Sequence, residues 1–123
     1  MPFVHQETVR FRDLDAMGHL NNAVYSTFLE QARLAFLEPQ GAEVRSMILA
    51  RLEIDFRSPV ELGETVEISV TPTRIGTKSF DLEYLLRAGD RTVAEAKTVL
   101  VAYDYDNAQS MDIPTEWKER LAA

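Results

Sequence analysis

The 123-residue chain contains no cysteine and only two histidines. Without cysteine there can be no disulfide, no thiolate metal site and no cysteine nucleophile. Two histidines, with no H-E-x-x-H pattern and no cluster of histidines and carboxylates, do not indicate a catalytic metal. The G-x-S-x-G signature is also missing, so the sequence does not indicate a serine hydrolase of that type. We therefore expect chemistry without metal, cofactor or thiol.

Long apolar runs and an excess of basic residues are missing as well. No run approaches the roughly 18 apolar residues of a membrane span, so we expect no membrane association. The first ten residues, MPFVHQETVR, lack the basic start and apolar centre of a secretory signal. We accordingly expect a cytoplasmic protein. Thirteen basic against 20 acidic residues give a net charge of −7, which argues against binding to nucleic-acid phosphates.

What the sequence does contain is typical of one globular domain over residues 1–123. Hydrophobic residues make up 46% and charged residues 27%, and neither a repeat nor a linker interrupts the chain. Residues that favour β-structure predict a strand over Phe3–Phe11. Apolar residues at helical spacing predict a helix from Ala23 to about Glu38, which Pro39 and Gly41 would end.

Period-two alternation between Met47 and Tyr105 predicts four antiparallel strands joined by tight turns. A short terminal helix is predicted over Pro114–Leu121. In the first of the four strands, one face is predicted to carry Ile48, Ala50, Leu52, Ile54 and Phe56. The whole order predicts an α+β fold in which a five-stranded antiparallel sheet wraps a long central helix. Because such a sheet has exposed edge strands, we expect at least a dimer.

The stretch RDLDAMGHLNNAVY, from Arg12 to Tyr25, leads directly into the predicted central helix. A helix N-terminus offers free N–H groups that can stabilise the oxyanion formed at an attacked carbonyl. Asp15 could act there as a nucleophile or as a general base for water. A carboxylate acting alone needs a good leaving group, and a thiolate, whose thiol has a pKa of about 8.5, meets that need. The alternative interpretation is structural, with the Asp and Asn residues as caps and Gly18 as a turn residue.

The segment RFRDLDAMGHLNNAVYSTFLEQAR resembles the opening of the 4-hydroxybenzoyl-CoA thioesterase branch of the hotdog-fold thioesterases. Later segments, FRSPVELGETVEI, RIGTKSFDLEYLL and IPTEWKERL, are similar to further parts of that family, so nearly the whole chain is covered. The resemblance implies a hotdog fold and hydrolysis of acyl-CoA thioesters. It also implies active sites formed between two subunits, in a homodimer or a homotetramer.

By this resemblance, Asp15 falls at the catalytic carboxylate. Gly18 and the helix start near Asn22 fall where backbone N–H groups polarise the thioester carbonyl. His19 either orients Asp15 or a water, or simply packs the loop. Asn21 and Tyr25 are placed among the substrate contacts, although Asn21 and Asn22 could instead order the loop and cap the helix.

Several charged residues outside this loop are further candidates. In the turn TRIGTKS, Arg74, Gly76 and Lys78 are predicted to contact the phosphates of CoA, the alternative being a solvated hairpin tip. Arg57 and Arg91 are secondary options for the same contact. Glu30 is a rival base or the partner of Arg33 in an ion pair within the helix. Asp13 is expected to hold the loop by pairing with Arg10 or Arg12.

Two other functions stay open. The H-x-N-N portion also resembles plant acyl-ACP thioesterases, whose Asp-x-Asn-x-His set would fall on Asp15, Met17 and His19, with Met17 in place of the asparagine. A hotdog domain could also bind an acyl thioester without hydrolysing it. The identity of the acyl group, and the choice between nucleophile and base for Asp15, are not readable from the sequence.

Overall fold

The computed structural model describes residues 3–40 and 42–122. Two helices and six strands follow one another as β1 (Phe3–Thr8), α1 (Asn22–Leu37), β2 (Met47–Phe56), β3 (Thr65–Ile75), β4 (Ser79–Ala88), β5 (Arg91–Asp104), β6 (Gln109–Ser110) and α2 (Thr115–Ala122). Both predicted helices are confirmed to within about one residue. The first predicted strand was too long, because Phe11–Asp13 form a 3-10 turn instead. Pro39 lies in a 3-10 turn after α1, and Gly41 lies outside the described residues.

The five long strands form one antiparallel sheet in the order β1-β3-β4-β5-β2, and the short β6 pairs with β5. The helix side of this sheet carries fully buried side chains such as Ile68, Phe80 and Leu82. On α1, Phe28, Leu29 and Ala32 are buried at the same 3–4 residue spacing from which the helix was predicted. The predicted α+β arrangement of a five-stranded sheet around a central helix is therefore confirmed.

Strand β2 lies at an edge of the sheet, and its predicted alternation is wrong in its first half. Leu49 pairs with Leu100 but Arg51 pairs with Val99, so Ala50 is an extra residue in a β-bulge. One extra residue moves every earlier side chain to the opposite face. Met47 and Leu49 consequently share the helix side with Leu52, Ile54 and Phe56, whereas Ile48 lies on the outer face.

The helix side of β2 is largely uncovered. Of its ten residues only Met47 is buried, and Leu49, Leu52 and Phe56 keep 37%, 36% and 46% of their surface exposed. The backbone of α1 comes closest to β1 and β3, at the other side of the sheet. A groove is thereby left open between α1 and β2.

Candidate active site

The loop before α1 is fixed by Asp13, whose side chain is almost fully buried. Its Oδ2 accepts hydrogen bonds from the backbone N–H and the Nε of Arg10 at 2.8 and 3.1 Å, and its Oδ1 accepts one from Nη2 at 3.1 Å. The side-chain hydrogen bond from Arg10 holds the pKa of Asp13 below its usual range. The carbonyl of Asp13 accepts the N–H of Asn21 at 2.9 Å. Of the two predicted partners of Asp13, Arg10 is therefore the hydrogen-bonded one, and Asp13 is committed to structure.

The carboxylate of Asp15 is held differently, by backbone amides of its own loop. Its Oδ1 accepts the N–H of Met17 at 2.9 Å and the N–H of His19 at 3.1 Å. The Asp15 N–H donates to the His19 carbonyl at 2.7 Å, and the Gly18 N–H donates to the Asp15 carbonyl at 3.1 Å. Gly18 takes a positive φ of 83°, a conformation that favours glycine. The other oxygen, Oδ2, accepts no hydrogen bond within the described part of the chain.

The N-terminus of α1 leaves one backbone donor unused. Asn21 is the N-cap, and its side-chain oxygen accepts the Ala23 N–H at 2.9 Å. The Val24 N–H donates to the Asn21 carbonyl, also at 2.9 Å. The Asn22 N–H has no partner among residues 3–40 and 42–122. A free amide at a helix N-terminus also carries partial positive charge, which suits it to an oxyanion.

A cavity of about 310 Å³ brings together four of the nine predicted site residues. Asp15, His19, Asn22 and Tyr25 all line it. The ring of Tyr25 packs edge to face on Phe56, with ring centres 4.9 Å apart. Burial raises the pKa of Tyr25, so its phenol stays protonated at neutral pH. The cavity thus combines a free carboxylate oxygen with neutral polar groups and an aromatic wall.

The opposite wall comes from the end of β2 and the residues after it, Arg57, Ser58 and Pro59. The Leu20 N–H donates to the Val60 carbonyl at 2.7 Å, which ties this segment to the loop. The sequence did not indicate Ser58 and Pro59, because long-range backbone contacts place them beside Asp15, among them this hydrogen bond and the bridge between His19 and Glu61. Arg57, a secondary candidate for CoA contact, does line the cavity, and its Nε donates to Glu95 at 2.9 Å.

The other predicted residues do not line this cavity. Gly18 shapes the loop, and the Asn21 side chain caps α1. Within one subunit, the turn with Arg74, Gly76 and Lys78 lies towards the opposite end of the sheet, since Ser79 pairs with Val101 whereas Ala94 pairs with Phe56.

The charges of that turn are already paired. The Nη2 of Arg74 donates to Asp81 and to Ser79, each at 2.8 Å, and Lys78 lies 3.4 Å from Asp112. Gly76 sits under the Arg74 guanidinium, and a Cβ there would come within 2.6 Å of Nη1. CoA binding by this turn stays a prediction.

Glu30 lies eight residues beyond Asn22, about 12 Å along the helix, and away from the Asp15 cavity. Its carboxylate is 3.8 Å from the Arg33 guanidinium, which is the predicted ion pair in a loose form. Among the residues that the structure describes, no group of three or more His, Asp or Glu side chains could hold a metal ion. No described helix is long and apolar enough to span a membrane.

Comparisons with known proteins show which family the chain resembles. A family model described as "Thioesterase-like superfamily" matches residues 9–121. A 1,4-dihydroxy-2-naphthoyl-CoA hydrolase from Nostoc punctiforme is 27% identical, over 94% of this chain and 84% of that protein. The long-chain acyl-CoA thioesterase FadM of Escherichia coli is 28% identical over 94% of both chains.

A solved structure supports the same likeness. A thioesterase from Thermus thermophilus, complexed with coenzyme A and Zn, is 31% identical and superposes with a TM-score of 0.90, covering 98% of this chain and 97% of the other. The relatives named here are thioester hydrolases, which agrees with the enzyme class expected from the sequence.

Proposed function

Since this chain belongs to the thioesterase-like superfamily, we propose that it hydrolyses an acyl-CoA thioester to the free acid and CoA in the Asp15 cavity. The membership confirms the resemblance to hotdog-fold thioesterases drawn from the sequence. One observation carries the proposal. The unbonded Oδ2 of Asp15 and the unbonded N–H of Asn22 belong to residues that line the same cavity. A thioester carbonyl bound between them meets a base or nucleophile and an oxyanion donor together.

The first chemical step places the thioester carbonyl oxygen at the Asn22 N–H. As a base, Asp15 Oδ2 takes a proton from a water while the water oxygen bonds to the carbonyl carbon. The tetrahedral intermediate then expels the thiolate of CoA, which is protonated by the Asp15 carboxyl group or by solvent. As a nucleophile, Oδ2 bonds to the carbonyl carbon itself, the C–S bond breaks, and water hydrolyses the resulting anhydride.

The two routes leave different isotopic records. Repeated turnover in ¹⁸O-labelled water places the label on the Asp15 carboxylate only if anhydride hydrolysis returns a solvent oxygen to that side chain. Label on Asp15 therefore identifies the nucleophilic route, whereas label confined to the released acid is produced both by the water-activation route and by attack of water on the acyl carbon of the anhydride.

His19 is a positioning residue in this proposal, and its backbone provides the contacts. Its N–H donates to Asp15 Oδ1 and its carbonyl accepts the Asp15 N–H. A His19→Ala variant keeps both backbone contacts. We therefore expect its kcat to fall by less than about tenfold, well short of the effect of replacing Asp15. A loss as large as that of Asp15→Asn would give the imidazole a direct role.

The open groove supports a homodimer as the active form. Antiparallel pairing of two β2 strands across a two-fold axis would cover Leu49, Leu52 and Phe56, which are otherwise exposed. Such pairing sets the Phe56 end of one strand beside the Met47 end of its partner, so each Asp15 cavity lies at the interface. It also brings Arg74 of the partner subunit towards the Asp15 end of the sheet, where CoA phosphates could reach it. Assembly of two dimers into a tetramer remains a prediction.

The decisive experiment is CoA release from a panel of aliphatic and aromatic acyl-CoAs, with wild type beside Asp15→Asn. A matched control is Asp90→Asn, which removes an exposed carboxylate from the β4–β5 turn. Turnover that is lost in Asp15→Asn and kept in Asp90→Asn supports the proposal. Turnover of carrier-protein thioesters alone would favour an acyl-ACP thioesterase. Acyl-CoA binding without turnover of any ester would favour a binding module.

A further inference from the structure

A second cavity of about 210 Å³ lies between the C-terminal half of α1 and the start of β2. Its walls are about equally polar and apolar, and the apolar part includes Leu34, Met47, Leu49 and Leu100. Tyr105 closes one side and is held there by a hydrogen bond from its hydroxyl to the Met47 carbonyl at 2.9 Å. For scale, an engineered apolar cavity of about 150 Å³ is large enough for benzene. This cavity is therefore sized for one or two rings, or a short chain.

Arg33 supplies a buried positive charge to this cavity. Its side chain is 10% exposed, while its nearest carboxylate, on Glu30, is 3.8 Å away and 56% exposed. A buried charge is stable only when it is closely paired and hydrogen-bonded, and this ion pair is loose. The charge of Arg33 is thus incompletely compensated by the protein's own carboxylates.

The hydrogen bonds of Arg33 lead to the same conclusion. A guanidinium has five N–H donors, and Arg33 also interacts with the hydroxyl of Tyr84, which pairs with Thr98 at 2.7 Å. Within the described part of the chain, no side-chain nitrogen or oxygen is both fully buried and without a partner. Guanidinium nitrogens that have no partner must therefore reach accessible space, and the space beside Arg33 is this cavity.

We infer that this cavity binds the far end of the acyl group and that Arg33 selects ring-containing acyl groups with a hydrogen-bond acceptor or negative charge. The inference rests on the proposed thioesterase function. Of the two substrate types in the names of the relatives, it favours hydroxyl-bearing aromatic acyl groups over long aliphatic chains.

The acyl group enters the cavity of the partner subunit. Within one subunit, Asn22 and Arg33 are eleven residues apart, about 16 Å along α1, which is too far for a ring attached to the thioester. In the antiparallel β2 pairing proposed above, the Phe56 end of one strand lies beside the Met47 end of the other. Each Asp15 cavity then faces Arg33 of the partner subunit.

Matched aromatic esters test the selection. We expect wild-type protein to hydrolyse 4-hydroxybenzoyl-CoA and 4-carboxybenzoyl-CoA with a kcat/KM at least about tenfold above that of 4-methylbenzoyl-CoA, the effect of one hydrogen bond to a charged group. The Arg33→Met variant should bring these ratios close to one, and Arg33→Lys should restore part of the preference for the carboxylate. Glu30→Gln removes the competing carboxylate from a largely exposed position, so it should raise the 4-carboxybenzoyl preference even if Arg33→Met does not fold.

Binding separates failure of this inference from failure of the proposed function. Dissociation constants of the three esters are measured on Asp15→Asn, so no turnover is required. A preference for the 4-hydroxy and 4-carboxy esters in binding supports the inference whether or not wild type hydrolyses them. Equal affinities for all three esters, or ratios that do not respond to Glu30→Gln and Arg33→Lys, overturn it.

Mixed dimers test which subunit supplies Arg33. When Asp15→Asn and Arg33→Met chains are co-expressed with different tags, the purified heterodimer has one site with both native residues only if the two residues come from different subunits. That heterodimer should hydrolyse esters with wild-type selectivity. If it shows the selectivity of the Arg33→Met homodimer, Arg33 acts within its own subunit and the cross-subunit assignment is wrong.

Discussion

Replacing Asp13 by asparagine should lower stability, whereas replacing Asp15 by asparagine should lower turnover. Asp13 accepts three hydrogen bonds from Arg10 and is nearly fully buried. An asparagine keeps one acceptor oxygen but loses the charge. Hydrogen bonds to charged groups contribute roughly 1.5–3 kcal/mol each, so we expect Asp13→Asn to lower the free energy of unfolding by about 2 kcal/mol. Asp15→Asn keeps the oxygen that accepts the Met17 and His19 amides, so its stability should change by less than about 0.5 kcal/mol.

These energies convert into measurable shifts. An unfolding entropy of about 2.1 cal/mol/K per residue gives about 0.26 kcal/mol/K for 123 residues. A loss of 2 kcal/mol therefore lowers Tm by about 8 °C, while Asp15→Asn should stay within about 2 °C. Calorimetry at one fixed protein concentration measures both, because Tm of the proposed dimer would depend on concentration. In the same preparations, Asp15→Asn should lower kcat by about 10²–10⁴, the usual contribution of a general base.

The reverse pattern would contradict the roles assigned to Asp13 and Asp15. If Asp13→Asn abolishes turnover while leaving Tm unchanged, and Asp15→Asn lowers Tm while retaining turnover, the roles assigned to the two carboxylates are exchanged. An Asp15→Ala variant separates the structural role of Asp15, as acceptor of two backbone amides, from its proposed catalytic role. It removes the acceptor as well as the charge, so it should lose stability that Asp15→Asn keeps.

Three further predictions concern pH, assembly and the β3–β4 turn. Hydrogen bonds from Arg10 and Arg74 lower the pKa values of Asp13 and Asp81, so both stabilise the fold above pH about 4. This contribution is lost as the pH falls through the lowered values, and urea midpoints from pH 7 to pH 3 should drop less steeply in Asp81→Asn. Leu52→Lys places a charge on the uncovered helix side of β2, where the proposed dimer would bury it. Light scattering should therefore show monomers in place of dimers. Gly76→Ala forces the Arg74 guanidinium aside and should lower stability by about 1–2 kcal/mol in urea titrations, with unchanged stability counting against the contact.

The helices and the alternating strands were predictable because their signals are local. Buried residues of α1 recur every three or four positions, and turn residues separate β3, β4 and β5. The bulge at Ala50 was not predicted, because the four residues Met47–Ala50 are all apolar and so do not show which face each side chain takes. Only pairing with β5 reveals the extra residue.

In the candidate site, too, the residues close together in sequence were predicted and the distant ones were not. Asp15, His19, Asn22 and Tyr25 lie within eleven consecutive residues, so one motif was enough to name them, although their catalytic roles stay predictions. Ser58 and Pro59 join the cavity through a contact some forty residues distant in sequence, for which the chain has no local signal. The cavity beside Arg33 was hidden for another reason. The leucine and methionine side chains in its walls resemble ordinary core residues. The sequence predicted an ion pair between Glu30 and Arg33 but could not give its distance of 3.8 Å.

The uncovered β2 strand also has a consequence for the newly synthesised chain. Until the proposed dimer forms, the ten-residue edge of β2 is available to any other extended polypeptide. Its outer face carries Arg51 and Glu53, which form an ion pair, and Asp55, which lies near Arg57 just beyond the end of the strand. Charges spaced in this way oppose the stacking of many identical strands. They still allow β2 to pair with the β2 strand of one other copy. The sequence of this edge therefore favours a closed dimer over open-ended aggregation.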